Sequence, residues 1–207
     1  MNFYSQAGQD KWVLDVTKNK KSKKFFVDIG AYDGINTSNT MALEESGWTG
    51  LCVEASPEVF ISLAQNRPAA TNLHMAAASF NGQLNFSGFS STSDKSAPLI
   101  PCATLDAILE MTDCPQVIDY LSMDIEGMEP GVLQVFDFSK YQINTATIEH
   151  NLYMNGPENK DKIFNIMSEN GFISVVEDAP CLDTNPLYYM KPYEDWYVRE
   201  EFLLSES

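Results

Sequence analysis

The sequence predicts an α/β domain in which a mostly parallel β-sheet is covered by helices on both faces. Short apolar runs alternate with helix-like segments of about ten residues, and glycine or polar turn residues separate them. The length of 207 residues suits one domain. We therefore expect a single domain over residues 1–207, with an N-terminal segment at 1–24 and the sheet-forming core at 25–203.

The first half of the chain contains three predicted strands and two predicted helices. The clearest helix start lies at residues 56–58, where serine suits the N-cap, proline the first helical position and glutamate the first turn. We expect strands at 25–29, 50–54 and 72–78, and helices at 36–45 and from 57 onwards. The inner face of the second helix is predicted to consist of Val59, Phe60, Leu63 and Ala64.

The second half continues the alternation after a less regular stretch. Residues 81–101 are rich in glycine, serine and asparagine, which predicts a hairpin followed by a mobile loop. Thr104 suits the N-cap of a helix that runs to Met111. Further helices are expected at 129–136 and 157–169, and further strands at 117–123, 143–149, 172–177 and 196–202.

The charge balance excludes several classes of partner. The chain has 29 acidic against 13 basic residues and a formal net charge of -16, which disfavours nucleic acid and anionic membranes. No apolar leader and no membrane-spanning run is visible in the sequence, so we expect no membrane insertion. The four cysteines form no CxxC pair and only two histidines occur, so we expect no zinc site of ordinary spacing, assign no metal ligand, and expect reduced thiols in a cytoplasmic protein.

The turn after the first strand is the first candidate for ligand binding, because ligands of open parallel sheets bind beyond the carboxyl ends of the strands. Gly30 and Gly34 form a G-x-x-x-G pattern, whereas dinucleotide-binding turns carry G-x-G-x-x-G to admit a pyrophosphate. The Asp28 carboxylate suits a cationic ligand without phosphate, such as S-adenosylmethionine (SAM). A nicotinamide-dependent oxidoreductase is the alternative that this pattern disfavours.

A second candidate is Glu54, at the end of the next predicted strand and 24 residues after Gly30. An acidic side chain at about this spacing accepts hydrogen bonds from ribose hydroxyls in nucleotide-binding α/β folds. We therefore predict that Glu54 binds a ribose. Ala77 follows the third predicted strand and belongs to the same row of strand ends.

Acidic residues crowd two further strand ends. Asp124 and Glu126 follow one predicted strand and Glu149 ends the next, directly before His150. Such a cluster is costly unless a cation or a proton lies nearby, which is typical of an active cleft. We take Asp124, His150, Glu149 and Glu126, in this order, as candidate general bases, with a carboxylate-bound divalent metal as the alternative. Glu129 is explained by its place at a helix N-terminus.

These segments together resemble the FkbM family of methyltransferases from about residue 4 to residue 203. The resemblance implies a Rossmann-like class I methyltransferase fold with seven strands, the last inserted antiparallel, SAM as methyl donor, and commonly O-methylation of sugars or other small molecules. A catalytically degenerate binding or scaffold module is the alternative. The matching runs are residues 5–10, 26–34, 38–40, 43–44, 47–54, 119–127 and 148–151.

The candidate site combines this resemblance with the strand-end positions. The expected acceptor is a small molecule or carbohydrate. Catalytic roles are predicted for Asp124, His150 and Glu149. Cofactor contacts are predicted for Asp28, Gly30, Ala31, Asp33, Gly34, Asn39, Glu54, Ala77 and Asp124.

Overall fold

A computed structural model describes residues 1–88, 90–182 and 186–206 of the chain. Its helices are α1 (Gln9–Val16), α2 (Met41–Glu45), α3 (Pro57–Asn66), α4 (Leu105–Met111), α5 (Glu129–Val135), α6 (Leu152–Asn155), α7 (Pro157–Glu169) and α8 (Glu200–Glu206). Its strands are β1 (Phe25–Ile29), β2 (Thr49–Glu54), β3 (Thr71–His74), β4 (Ala76–Ala77), β5 (Gly82–Ser87), β6 (Ser90–Ser91), β7 (Leu99–Ala103), β8 (Val117–Met123), β9 (Gln142–Glu149), β10 (Phe172–Pro180) and β11 (Pro192–Arg199).

The main sheet has seven strands in the order β10-β11-β9-β8-β1-β2-β3. The five neighbours from β9 to β3 are parallel to one another. The last strand, β11, is inserted between β9 and β10 and pairs antiparallel with both. This arrangement confirms the predicted sheet, including the antiparallel insertion of the last strand.

Helices cover both faces because neighbouring side chains of a strand point to opposite faces. On β1, Phe26 packs with Val13 of α1, Leu43 of α2 and Leu63 of α3. The next residue, Val27, belongs to the opposite core cluster, which includes side chains from α4, α5 and α7. The sheet therefore separates two apolar layers.

Several predicted elements have wrong boundaries, among them the strand expected at 172–177, which extends to Pro180. The helix expected at 36–45 begins only at Met41, because Thr37 has a φ of 57° and the side chains of Asn39 and Thr40 bond the sheet residues Ser122 and Asp28. The strand expected at 72–78 splits at Met75, after which the chain leaves the main sheet. The strand expected at 196–202 begins at Pro192 and ends at Arg199, where α8 follows.

The region expected to form a hairpin builds a small second sheet. Its strand order is β4-β7-β5-β6, with β5 antiparallel to β7 and β4 parallel to β7. The predicted hairpin is confirmed by the antiparallel pairing of β5 with β6 and β7, the mobile loop expected after it stays a prediction, and residue 89 lies outside the described residues. Within the described part of the chain, no helix is long and apolar enough to cross a membrane.

Candidate active site

A cavity of about 460 Å³ opens beyond the carboxyl ends of β1, β2, β8 and β9. This is the position at which ligands bind in open parallel sheets, and the volume suits a nucleoside-sized ligand. Among the described residues that line it, no lysine, arginine or histidine occurs. The cavity therefore favours a cationic ligand, since five carboxylates line it: Asp28, Glu54, Asp124, Glu126 and Glu149.

Asp28 lies at the end of β1 and is almost completely buried. Its Oδ2 atom accepts a hydrogen bond of 2.6 Å from the Thr40 hydroxyl, and burial raises the pKa of its carboxyl group. Asn39 donates from Nδ2 to the Ser122 hydroxyl at 2.9 Å, while its buried Oδ1 has no partner. Asp28 and Asn39 thus offer acceptor oxygens at one end of the cavity.

Gly30 and Ala31 form the turn that leads from β1 into this cavity. Their backbone N–H groups both donate to the Val53 carbonyl, at 2.9 and 3.0 Å. Gly30 has a φ of 89°, and a Cβ atom built on it would lie 1.8 Å from the carbonyl oxygen of Asp124. Glycine is required here by the neighbouring strand end.

Asp33 and Gly34 lie outside the described lining of the cavity. Asp33 instead accepts hydrogen bonds from the backbone N–H groups of Ile35 and Asn36, at 2.9 and 2.8 Å, and so stabilises the loop. A Cβ atom at Gly34 would lie 2.5 Å from Cγ of Arg67. Both residues shape the loop behind the cavity wall.

Arg67 is fully buried at the end of α3 and was not identified from the sequence. From the sequence pattern, Ala64 of the same helix was instead expected to face inward. Ala64 is exposed, and the Arg67 guanidinium bonds Glu44 Oε2 at 3.0 Å. It also donates to the Gly34 carbonyl and the Thr40 hydroxyl, each at 3.1 Å. Arg67 therefore supports the same threonine that holds Asp28.

Glu54 ends β2 and is buried at the cavity wall. Its two carboxylate oxygens accept hydrogen bonds from the backbone N–H groups of Tyr32 at 3.0 Å and Ser56 at 2.7 Å. Burial raises the pKa of its carboxyl group, and these bonds oppose the rise. The two bonds fix the carboxylate at a strand end while each oxygen keeps capacity for a further donor.

An apolar part of the cavity adjoins Glu54. Ala77, predicted as a site residue, lies on β4 and lines the cavity with Met75 and Ala76. Phe86 of the small sheet and Met128 line it as well. Sequence reasoning missed both residues. Phe86 lies at the cavity because its strand β5 pairs with β7, which in turn pairs with β4, and Met128 lies in the turn between β8 and α5.

Asp124 and Glu149 are brought together by the pairing of β8 with β9. Their carboxyl groups share a hydrogen bond, which requires a proton on one of them. Burial raises the pKa of Asp124 to about 7, and the charge of Glu126 adds to the rise. Burial and the charge of Asp124 also raise the pKa of Glu149, and the shared hydrogen bond raises the pKa of Glu149 while it lowers that of Asp124, so Glu149 holds the proton and Asp124 accepts the bond.

Glu129 is a fourth member of this acidic cluster and was explained from the sequence by its helix position alone. It is fully buried at the start of α5, and its Oε1 atom accepts a hydrogen bond of 2.7 Å from the Ile125 N–H group. Burial raises the pKa of Glu129 to about 8, and the charge of Asp124 contributes. Its position next to Glu149 follows from tertiary packing.

His150 lies outside the described cavity lining, although Glu149 and Asn151 on either side line it. Its Nδ1 atom accepts a hydrogen bond of 3.1 Å from the Leu152 N–H group, and Nε2 lies 3.3 Å from Asp195 Oδ1. Both ring nitrogens are therefore engaged in buried contacts. This placement favours a supporting role over that of a base.

A possible metal position involves the same histidine. His150, Asp178 and Asp195 each offer a ligand atom, and these atoms lie within 4.8 Å of one another. The ammonium group of Lys160, however, lies 2.7 Å from Asp178 and 3.8 Å from Asp195. The lysine already supplies a positive charge to this group.

Aromatic residues form the cavity end near Glu149, and none was identified from the sequence. Tyr153 and Tyr188 line this end with ring centroids 6.3 Å apart in an edge-to-face arrangement. Tyr193 lines it too. Gln6, from the N-terminal SQAGQD run, lines the cavity as well.

Comparisons with solved structures match this fold at low sequence identity. Fibrillarin from Methanococcus jannaschii, a pre-rRNA processing protein, has a TM-score of 0.54 and 11% identity, covering 94% of this chain and 77% of that one. A TehB-like SAM-dependent methyltransferase from Corynebacterium glutamicum has a TM-score of 0.50 and 11% identity, covering 96% and 89%. Fibrillarin from Aeropyrum pernix, solved with natively bound SAM, has a TM-score of 0.51 and 11% identity, covering 86% and 67%.

Comparison with sequence families gives a more specific result. No curated protein matches the chain. The model of the methyltransferase FkbM domain matches residues 28–174, which is more than half of the chain and includes the end of β1 and all of β2, β8 and β9. The resemblance predicted from the sequence motifs is thereby confirmed, and the chain belongs to the FkbM methyltransferase domain family.

Proposed function

We propose that this protein is a SAM-dependent methyltransferase that methylates a hydroxyl group of a small-molecule or carbohydrate acceptor. The observation that carries the proposal is the pairing of Asp124 with Glu149 at the edge of a cavity rich in carboxylates. SAM supplies an electrophilic methyl group on a cationic sulfur when it is bound. A neutral hydroxyl is a poor nucleophile and reacts faster when a base accepts its proton.

The cavity fits SAM in both charge and shape. The unpartnered Oδ1 of Asn39 and the buried carboxylate of Asp28 are suited to the ammonium group of the methionine moiety. Glu54 is suited to the ribose hydroxyls, and the apolar residues from Met75 to Ala77 are suited to the adenine ring. The acidic lining attracts the sulfonium charge without any cationic side chain among the described lining residues to oppose it.

Asp124 is the proposed base. Its pKa of about 7 makes Asp124 a much stronger base than an aspartate in water, whose pKa is 3.8. At neutral pH a large fraction of Asp124 is still deprotonated and able to accept a proton. Glu149 holds its own proton and donates to Asp124, so it orients the Asp124 carboxylate. We assign Glu149 a positioning role and leave His150 out of proton transfer, because its ring faces Asp195.

The acceptor end favours an uncharged or cationic molecule. The carboxylates of Glu126 and Asp124 would repel a phosphate group, whereas the rings of Tyr153 and Tyr188 offer flat apolar surfaces that suit the face of a sugar. The net charge of -16 acts in the same direction over a longer range. We therefore propose no nucleic-acid acceptor, although fibrillarin shares the fold.

We place the protein in the reducing cytoplasm as part of this proposal. None of Cys52, Cys102, Cys114 and Cys181 forms a disulfide. Burial raises the pKa of the Cys102 and Cys114 thiols, which lowers the fraction of reactive thiolate. Unpaired cysteines are typical of proteins that remain in a reducing compartment.

Calorimetric titration with SAM, followed by transfer of a labelled methyl group onto acceptors, tests this function. The acceptor panel should contain neutral sugars, amino sugars, sugar phosphates and a short RNA. We expect SAM binding and transfer to neutral or amino sugars. Binding without transfer to any acceptor or cell extract would favour the degenerate binding module, and absence of SAM binding would refute the proposed function.

A further inference from the structure

The N-terminal segment 4–10 forms part of the cavity wall, and the function proposed above leaves it without a role. Ser5 pairs with Thr37 in a parallel β-bridge, which places the segment beside the loop that precedes α2. The Asp10 carboxylate accepts hydrogen bonds from the N–H group of Tyr4 at 2.7 Å and from the Ser5 hydroxyl at 2.6 Å. The segment is thus fixed to helix α1, which follows it, and to the loop at 36–40, called the cofactor loop below.

A second buried side chain completes this support. Gln9 accepts a hydrogen bond of 2.8 Å from the Ala7 N–H group and donates to the hydroxyl of Tyr193. The Gln6 carbonyl accepts from the Leu182 N–H group at 2.8 Å. The backbone of Gln6 is therefore held on both sides, between the loop at 36–38 and the chain at 181–182.

The side chain of Gln6 differs from those of Gln9 and Asp10. It lines the cavity, is half-buried, and has no hydrogen bond to another residue within the described ranges. A fixed backbone with an unengaged amide at a cavity wall is the arrangement of a ligand-binding residue. The amide of Gln6 can both donate and accept a hydrogen bond, so the charge of its surroundings decides which ligand group it binds.

The charge of the cavity lining indicates which group Gln6 binds. The amino-acid end of SAM carries a carboxylate as well as an ammonium group, and an anion in an acidic cavity needs donors. The lining offers no cationic side chain among the residues described, so neutral N–H and O–H groups must bind the carboxylate. Gln6 lies beside Thr37 and Ser38 at the end of the cavity that also contains Asn39.

We propose that Gln6 donates a hydrogen bond to the carboxylate of the methionine moiety of SAM, and that the Ser5–Thr37 bridge holds it in place. This inference rests on the proposed function, because it assumes SAM as the ligand. The residues of the SQAGQD run then have different roles. Asp10 and Gln9 hold the backbone of the segment 4–7 in place, and Gln6 contacts the cofactor.

The test compares two ligands by calorimetry: SAM, and decarboxylated SAM, which keeps both positive charges but lacks the carboxylate. We expect Gln6→Ala to weaken SAM binding about 10- to 100-fold, as for loss of a charge-assisted hydrogen bond, and to leave decarboxylated SAM nearly unchanged. Gln6→Glu should weaken SAM binding further and strengthen the binding of decarboxylated SAM. Exposed Gln65 of α3 provides the matched control, and Gln65→Ala should change neither affinity.

The outcomes separate the two proposals. If the wild-type protein binds SAM but Gln6→Ala weakens both ligands alike, or neither, the role of Gln6 is refuted and the proposed function stands. If the wild-type protein does not bind SAM, both are refuted. Hydrogen exchange gives a readout independent of affinity: SAM should slow exchange of the Leu182 amide, which donates to Gln6, more than decarboxylated SAM does.

Discussion

The carboxyl groups of Asp124 and Glu149 share one hydrogen bond across the ends of β8 and β9. Two carboxylates can share a hydrogen bond only when one is protonated, so the pair has one proton and one negative charge near neutral pH. The protonated partner is Glu149, because burial raises its pKa well above the usual value and the shared hydrogen bond adds to the rise, whereas the same bond lowers the pKa of Asp124.

Replacing Asp124 by asparagine should remove the base and preserve the shape of the site. We expect kcat to fall roughly 10²- to 10⁴-fold, while the Kd for SAM changes only a few-fold. In the wild type, kcat/KM should rise with pH through about 7, because the deprotonated form of Asp124 is active. Wild-type turnover by Asp124→Asn would exclude this role.

Glu129 should make the protein less stable as pH rises. Its pKa is raised from 4.5 to about 8, so the folded state binds more protons than the unfolded state between these values. The stability associated with the proton is fully present below about 4.5 and is lost as pH approaches 8. Glu129→Gln should therefore gain at least about 1 kcal/mol relative to wild type between pH 5 and pH 8.

Urea denaturation at the two pH values measures this gain. Glu169 lies exposed at the end of α7, and Glu169→Gln is the matched control, which should show no such gain. A constant difference between Glu129→Gln and wild type at both pH values would contradict the assignment.

Glu54→Gln should weaken SAM binding while the protein stays folded. The amide keeps one oxygen acceptor, so one of the two backbone bonds to Tyr32 and Ser56 survives, but the negative charge facing the cavity is lost. We expect a cost of about 1.5–3 kcal/mol in the calorimetric binding free energy. The exposed Glu58 provides the control variant Glu58→Gln, and an unchanged Kd for Glu54→Gln would remove the ribose assignment.

Gly30→Ala and Gly47→Ala separate steric contact from backbone strain. The two glycines have φ values of 89° and 88°, but only the Cβ atom of residue 30 would meet a neighbour, the Asp124 carbonyl oxygen at 1.8 Å. Gly47→Ala should cost about 1–2 kcal/mol of stability. Gly30→Ala should cost more and abolish SAM binding. Equal effects of the two substitutions on Tm and Kd would show that the contact is unimportant.

His150→Ala should affect stability rather than the pH profile. The variant loses the contact with Asp195 and leaves the Leu152 N–H group without its acceptor, at an expected cost of about 2–4 kcal/mol. His150→Asn retains a side-chain acceptor and should recover part of the loss. If the rise of kcat/KM near pH 7 disappears in either folded variant, His150 and not Asp124 is the base.

The sequence allowed prediction of those site residues that lie directly at strand ends. Asp28, Glu54, Asp124 and Glu149 line one cavity because the carboxyl ends of parallel strands meet at one edge, whatever the details of packing. The start of the helix expected at 36–45 was predicted wrongly because it depends on a tertiary contact. Asn39 bonds Ser122 on a distant strand, and local helix propensity gives no sign of this bond.

The residues missed share a different origin. Glu129 at a helix start and Arg67 at a helix end each have a local explanation, so nothing in the sequence pattern indicates that both are fully buried. Phe86 reaches the cavity only through the pairing of β5 with β7. Contacts of this kind depend on elements far apart in the chain, and one sequence contains no periodic signal for them.

The burial of Arg67 has a consequence for how the molecule unfolds. Its guanidinium joins α3 to Thr40, and Thr40 in turn bonds Asp28 at the end of β1. If α3 detached from the sheet, the Arg67 guanidinium would lose its partners, and the cofactor loop, whose Thr40 bonds Asp28, would lose its support. We therefore expect α3 and the cofactor loop to unfold together as one cooperative unit. A protein that still binds its ligand should then have both α3 and this loop folded.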